Sequence, residues 1–186
     1  LRSRGLGDVY KRQGMYLVDL KKWREEKVED KIIKRIHEQN GNVFFFEQTL
    51  MNWSCSGKIL QLPPKYNAYT LFWAFTYKNL ICWRKPNAFY LESEVEEAKD
   101  NPIIIHFTRN FYMLSRPWIK GCDHPKTKEY VKYKLLTPWK QLEEDNRSKK
   151  SIRRYKLWHI IPQRILAIGA GVIYNEVRPK LWWKNE

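Results

Sequence analysis

The amino-acid sequence predicts an α/β fold that ends in an amphipathic helical tail, and three observations carry that expectation. Residues 103–106, IIIH, are a compact apolar run with the character of a buried strand ending on His106. Residues 21–40 put Trp23, Val28, Ile32, Ile33 and Ile36 on one helical side, with charges elsewhere. Residues 147–186 space Ile152, Tyr155, Trp158, Ile161, Ile165 and Ile168 three or four apart, among Arg153, Arg154, Lys156 and Arg164.

In chain order, residues 1–13 stand apart from the rest. Ser3 to Gln13 matches, residue for residue, the translation of the transposon adaptor used in tagmentation sequencing libraries. Residues 1–13 are therefore expected to be foreign to the fold. Residues 14–20 alternate as a short strand, and Gly41 is placed to end the helix of residues 21–40. Residues 44–46, FFF, lead into a helix that opens at Glu47, so Glu47 and Gln48 occupy its first turn. Residues 58–62 read as a strand stopped by Pro63 and Pro64, residues 92–99 as a brief acidic helix, and His124-Pro125 as the opening of a helix through Leu135. The polar stretch EEDNRSKK, residues 143–150, separates a body of residues 14–146 from a tail of residues 147–186.

The net charge of +15 is unevenly spread: residues 14–146 hold 21 cations against 17 anions, and residues 147–186 hold ten against two. A nearly neutral body with a basic tail argues against a nucleic-acid-binding domain, which needs its cations on the folded body. Cys55, Cys82 and Cys122 are odd in number and in no CxxC spacing, which indicates neither a disulfide framework nor a zinc site and makes a reducing cytosolic setting the default. At 186 residues with 43% hydrophobic side chains, the chain can bury a core of ordinary size.

Candidate chemistry gathers at residues 103–118, IIIHFTRNFYMLSRPW. A histidine at a strand end, with Arg116 and Trp118 returning from the next loop, is where an α/β enzyme holds a metal-bound anionic group; a satisfied core or edge histidine is the plainer alternative. Residues 14–25 (GMYLVDLKKWRE), 44–52 (FFFEQTLMN), 62–67 (LPPKYN), and 120–139 (KGCDHP through YKLLTPW) join it in order. Together these motifs resemble glycosyltransferase family 8, the retaining, nucleotide-sugar-dependent transferases of bacterial surface polysaccharides.

The resemblance runs from Gly14 to about Asp145. It implies the C-terminal portion of a nucleotide-diphospho-sugar transferase, a Rossmann-like fold, with the nucleotide-binding half lying upstream and this segment inactive by itself. It implies that His106 is a ligand of a divalent metal, Mn2+, whose carboxylate ligands come from an upstream Asp-x-Asp motif. It also implies that Arg116 binds the donor diphosphate, where a bidentate guanidinium suits phosphate oxygens. The nine residues between His106 and Arg116 exceed the family's commoner spacing, which puts the loop conformation in doubt. Glu47 and Gln48 match the family's Asp-Gln pair beside the donor sugar, with Glu in place of Asp. A carboxylate and an amide there hold sugar hydroxyls and steady an oxocarbenium-like centre. Read without the resemblance, Glu47 is a first-turn charge complementing the helix dipole. Asn52, Asn67 and Trp118 are further candidates for substrate binding, an amide that ties loop backbone being the plainer reading of the two asparagines.

Tyr69, Phe72, Trp73, Phe75, Tyr77 and Trp83 either stack on sugar faces or form core. His37 reads as solvated, His124 as a cap or turn residue, and His159 as part of the tail. The tail is too short and too charged to span a bilayer. It suits either an interfacial contact with an anionic membrane, fitting a lipid-linked acceptor, or a helix packed on the domain. The implied partners are a nucleoside diphosphate sugar donor and a saccharide or lipid-linked acceptor, at the cytoplasmic side of the cell membrane. A basic, membrane-peripheral or carbohydrate-binding module without catalysis is the alternative.

Overall fold

The structure, a computed structural model, describes residues 15–43, 46–84, 89–173 and 177. Residues 1–13, Phe44, Phe45, Trp182 and Trp183 lie outside the described residues, and so do the expectations that rest on them. The chain divides into two compact units, Leu1–Leu62 and Pro63–Glu186.

The first unit is helical. Asp19 caps α1 (Leu20–Glu25), its carboxylate accepting from the amides of Lys21 at 3.0 Å and Lys22 at 3.1 Å. The strand expected at residues 14–20 is absent from the described part: residues 16–19 are irregular, Leu17 is 88% exposed, and no neighbouring strand completes a ladder. The single helix expected over residues 21–40 is two, because Lys27 takes a left-handed conformation (φ 51°) before α2 (Val28–Glu38). The break has a geometric reason. At about 100° per residue, Trp23 in one straight helix would face nearly opposite to the seam of Val28, Ile32 and Ile36. α2 ends in a Schellman motif: Asn40 (φ 49°) donates to the His37 carbonyl and Gly41 (φ 77°) to the Ile36 carbonyl. It packs on α3 (Glu47–Ser54) through Val28 and Leu50, while Arg35 lies 5.0 Å over the Trp53 ring. Residues 58–62 form no strand; Lys58 pairs with Glu26 and Leu60 is exposed.

The second unit opens with a 3-10 turn, Pro64–Asn67, whose entry at Pro63 and Pro64 suits a proline's fixed φ. It leads into β1 (Ala68–Tyr69), then α4 (Leu71–Ala74), α5 (Tyr77–Arg84), α6 (Glu92–Asp100) and β2 (Ile105–His106). The two strands pair in parallel, Ala68 opposite Ile105 and Tyr69 opposite His106, so the helices between them form a β-α-β crossover. The acidic helix expected at residues 92–99 is α6, where the Leu91 amide donates to the Glu94 carboxylate in half a capping box.

The strand expected at residues 103–106 is shorter and less buried than its composition suggests. Ile103 and Ile104 donate their amides to the Lys65 carbonyl in the 3-10 turn, outside any ladder, and both side chains are exposed. Helix α7 (Thr127–Lys134) follows close to its expected place.

The core of this unit is aromatic. Phe72, Phe75 and Trp83 are buried among Leu71, Leu80, Val95, Ala98 and Ala167, and Tyr69, Trp73 and Tyr77 pack against them. All six aromatics that were open between sugar stacking and packing belong to this core.

The tail forms α8 (Lys149–Ile160) and α9 (Gln163–Val172). α9 packs on α5 so closely that a Cβ on Gly171 would stand 2.8 Å from the Cys82 carbonyl oxygen. Gln163 locks its start, accepting from the Asn79 amide at 2.7 Å and donating to the Ala74 carbonyl at 2.9 Å. For α9, therefore, the packed-helix alternative holds. α8 buries no residue fully and leaves Arg153, Arg154 and Lys156 exposed.

Candidate active site

His106 ends β2, where the sheet fixes its backbone. Its carbonyl accepts from the Thr70 amide at 3.3 Å and the Thr108 amide at 2.7 Å, and its neighbour Ile104 accepts from Ala68 at 2.9 Å. The exposed imidazole lies with Nδ1 3.1 Å from Oδ1 of Asn67, the last residue of the 3-10 turn. With that oxygen as acceptor the ring proton sits on Nδ1 and the lone pair on Nε2, the arrangement in which an outer partner orients a metal-binding histidine. Asn67 thus meets a side chain across the strand pair. The structure brings His106 and Asn67 together through a parallel register that two separate sequence motifs did not reveal.

Arg116 and Trp118 sit ten and twelve residues farther on. Pro117 between them is fully buried, and the Ile119 amide closes a turn onto the Arg116 carbonyl at 3.0 Å. The Trp118 carbonyl accepts from Asp145 and the Asp145 carbonyl from Lys120, both at 2.9 Å, which pins the loop in an isolated parallel bridge. The Arg116 guanidinium lies 5.6 Å from the Trp118 ring centroid, and its buried Nε has no protein partner among the described residues. Trp118 also meets Tyr130 at 6.0 Å, so its indole is held between a cation and a phenol. The loop from His106 to Arg116 is closed by Ser115, whose hydroxyl donates to the Thr108 carbonyl at 2.8 Å, and by Asp123, which accepts from the Leu114 amide at 2.7 Å.

Glu47, Gln48 and Asn52 belong to the first unit. Glu47 and Gln48 form the first turn of α3, Glu47 exposed and Gln48 half-buried. The residue before them, Phe46, has φ 44° and ψ −121°, a conformation that side-chain-bearing residues rarely adopt. Asn52 donates from Nδ2 to the Gln48 carbonyl at 2.7 Å, so its amide braces the backbone of the turn that carries the pair.

His124 is more than a turn residue. Its Nδ1 accepts from the Lys126 amide at 3.2 Å, but the ring is 3% exposed and lies edge-on, 4.8 Å from both Trp73 and Phe107. Burial lowers its pKa from 6.5 to about 4, with Asp123 opposing and Lys126 adding to the fall, so it is neutral at pH 7. His159 is likewise structural, stacked on Tyr112 at 4.4 Å.

Among the described residues no three histidine, cysteine or carboxylate side chains converge as a metal site. His106 therefore offers one imidazole ligand, oriented by Asn67, and the described residues do not form a divalent-cation site by themselves.

Comparison with known proteins bears on the family. The chain is 25% identical over 132 residues to general stress protein A of Bacillus subtilis (strain 168), covering 70% of this chain and 42% of that protein. It is 29% identical over 171 residues to lipopolysaccharide 1,2-glucosyltransferase of Escherichia coli (strain K12), covering 89% of this chain and 45% of that protein. The chain thus spans less than half the length of both relatives. No solved structure matches it significantly. No helix among the described residues is long and apolar enough to cross a membrane. The pattern of glycosyl transferase family 8 matches residues 4–120, a stretch that includes Glu47-Gln48, the Asn67–His106 pair and Arg116. More than half of the sequence is thereby covered, and the chain belongs to glycosyl transferase family 8.

Proposed function

We propose that the chain is the acceptor-side part of a retaining glycosyltransferase that moves a sugar from a nucleoside diphosphate donor, UDP-linked in this reading, to a saccharide or lipid-linked acceptor in surface polysaccharide synthesis. The observation that carries the proposal is the His106–Asn67 pair at the end of a parallel strand, inside the family match. Similarity to a lipopolysaccharide 1,2-glucosyltransferase supports glucose as the sugar and a lipopolysaccharide as the acceptor.

The roles follow from the chemistry of each group. His106 presents Nε2 for a divalent ion, Mn2+ in this reading, with carboxylates from outside the described residues completing its shell. When bound, that ion supplies positive charge to the leaving diphosphate. Arg116, its Nε without a protein acceptor among the described residues, offers a fork of donors to the same diphosphate. Gln48 presents a carboxamide that steadies the developing oxocarbenium-like centre, and Glu47 holds sugar hydroxyls. Strain at Phe46 fits a backbone held in place for these two side chains. The exposed cations and apolar residues of α8 fit an interfacial contact with an anionic membrane on its cytoplasmic side.

The test is transfer of radiolabelled glucose from UDP-glucose to a lipopolysaccharide acceptor. The 186-residue chain alone is expected to show none. Joined to an amino-terminal half of the family, it is expected to transfer with an α-anomeric product, read by proton NMR. A joined, folded enzyme that binds acceptor but transfers nothing from any nucleoside diphosphate sugar would favour the non-catalytic module.

A further inference from the structure

The second unit contains a cavity of about 360 Å3, a volume within the range of small-molecule sites. Arg109, Arg116, Arg147 and Arg154 all line it, and no aspartate or glutamate does. None of the four arginines has an ion-pair partner among the described residues. Buried donors stand without acceptors in the same wall: Arg116 Nε, Arg147 Nη2 and Asn110 Nδ2. Ser148 and Ser151, at the N-terminal turn of the twelve-residue α8, complete the polar side and add the positive end of a helix dipole.

Four guanidiniums around one cavity repel each other, and buried donors left unpaired are costly. One ligand chemistry relieves both, a multiply charged oxyanion. Three aromatic side chains join the lining, with Phe111 and Trp158 edge to face at 5.9 Å and Tyr155 beside them. Burial raises the pKa of the Tyr155 phenol to about 12, with the nearby Asp123 carboxylate adding to the rise, so the hydroxyl stays protonated.

We infer that this cavity binds a phosphorylated sugar, Arg147, Arg154 and the α8 terminus taking the phosphate and the aromatic wall taking the pyranose ring, while Arg116, also in the lining, stays with the donor diphosphate. Arg147, Ser148, Ser151, Arg154 and Trp158 lie beyond residue 120, where the family match ends. The phosphate is therefore assigned to the acceptor, giving the enzyme a means of choosing phosphorylated saccharides. Naming the acceptor rests on the proposed transferase function. Binding itself is read without transfer, so a failure of either is visible separately.

The test is isothermal titration calorimetry of the 186-residue chain with glucose 1-phosphate, inorganic phosphate, glucose and UDP. Glucose 1-phosphate is expected to saturate one site per chain and to bind tighter than inorganic phosphate, with glucose silent and UDP failing to displace it. Arg147→Gln and Arg154→Gln should each weaken it about tenfold or more, the effect of losing a charge-assisted hydrogen bond. Ser151→Asp should do the same while favouring α8, because a carboxylate in the first turn complements the dipole. No saturable binding, or binding that all three variants leave unchanged, overturns the site. Phosphate that binds while glucose 1-phosphate does not overturns the sugar assignment. UDP binding that is lost with Arg154→Gln overturns the acceptor assignment in favour of the donor.

Discussion

The two compact units are stabilised by different means. Among the described residues of Leu1–Leu62, only Val28 and Leu50 are buried apolar side chains, and much of the remaining contact is at the surface: Lys58 and Lys31 on Glu26, Lys34 and Arg35 on Glu38, Arg35 over Trp53. Pro63–Glu186 has instead an interlocked aromatic core, with Phe75 touching Trp83, Phe111 and Tyr112, and α9 closed onto α5. Exposed ion pairs contribute little, whereas buried aromatic area contributes much. Each unit also carries a different kind of candidate group. The oriented imidazole of His106 stands on the well-packed unit, and Gln48, a half-buried amide behind a strained Phe46, stands on the thinly packed one.

The largest expected effect in this contrast comes from Phe72, which is 1% exposed at the centre of the second unit. Phe72→Ala is expected to cost about 3–5 kcal/mol in a denaturant melt. Leu50→Ala should instead release only the first unit, read as faster amide exchange in α2 and α3 with the amides of α5 and α9 unchanged. A single cooperative loss in both variants would mean that the two units fold as one.

Next in size is the pH response of the second unit. The neutral form of His124 is favoured in the fold, so the unfolded chain binds the extra proton first. Stability is fully present above pH 6.5 and is lost as the pH falls toward about 4, by roughly 3 kcal/mol at most. His124→Phe should flatten melts between those pH values; an unchanged slope would place the titrating group elsewhere. Gly171→Ala sets a methyl 2.8 Å from the Cys82 carbonyl and should cost about 1–3 kcal/mol. A neutral result would separate α9 from the core and return it to the membrane-contact reading. Smallest of all is deletion of residues 1–13, expected under the reading of that stretch as foreign to the fold to leave the melting midpoint unchanged; a lowered midpoint would overturn that reading.

Local signals in the sequence were reliable where one helix terminus or one motif sufficed. α3 opens at Glu47 as its pattern says, α6 follows its acidic run, and Gly41 closes α2. What was not legible depended on partners distant in sequence. IIIH has the composition of a buried strand, but Lys65 takes the amides of Ile103 and Ile104, leaving two residues for the ladder. Asn67 resembled a loop brace until the register of β1 and β2 set it against His106. Nothing local distinguishes Arg109 and Arg147 from solvated cations; only the return of α8 makes them neighbours of Arg116 and Arg154. Trp23 and Ile33 do not belong to the Val28 seam, since a strict period of 3.6 sets both away from it.

The proposed role of Asn67 is to orient His106 as a ligand of the metal that serves the leaving diphosphate. Metal titration of the joined enzyme tests it most directly, with turnover of UDP-glucose followed against Mn2+ concentration at saturating donor. Asn67→Ala is expected to raise the half-saturating Mn2+ concentration by about 10–100-fold, the usual consequence of losing a histidine's outer partner. His106→Ala should raise it further, and Arg116→Ala should move the donor KM instead. Metal curves that stay superimposed on the parent enzyme for both Asn67→Ala and His106→Ala would contradict it.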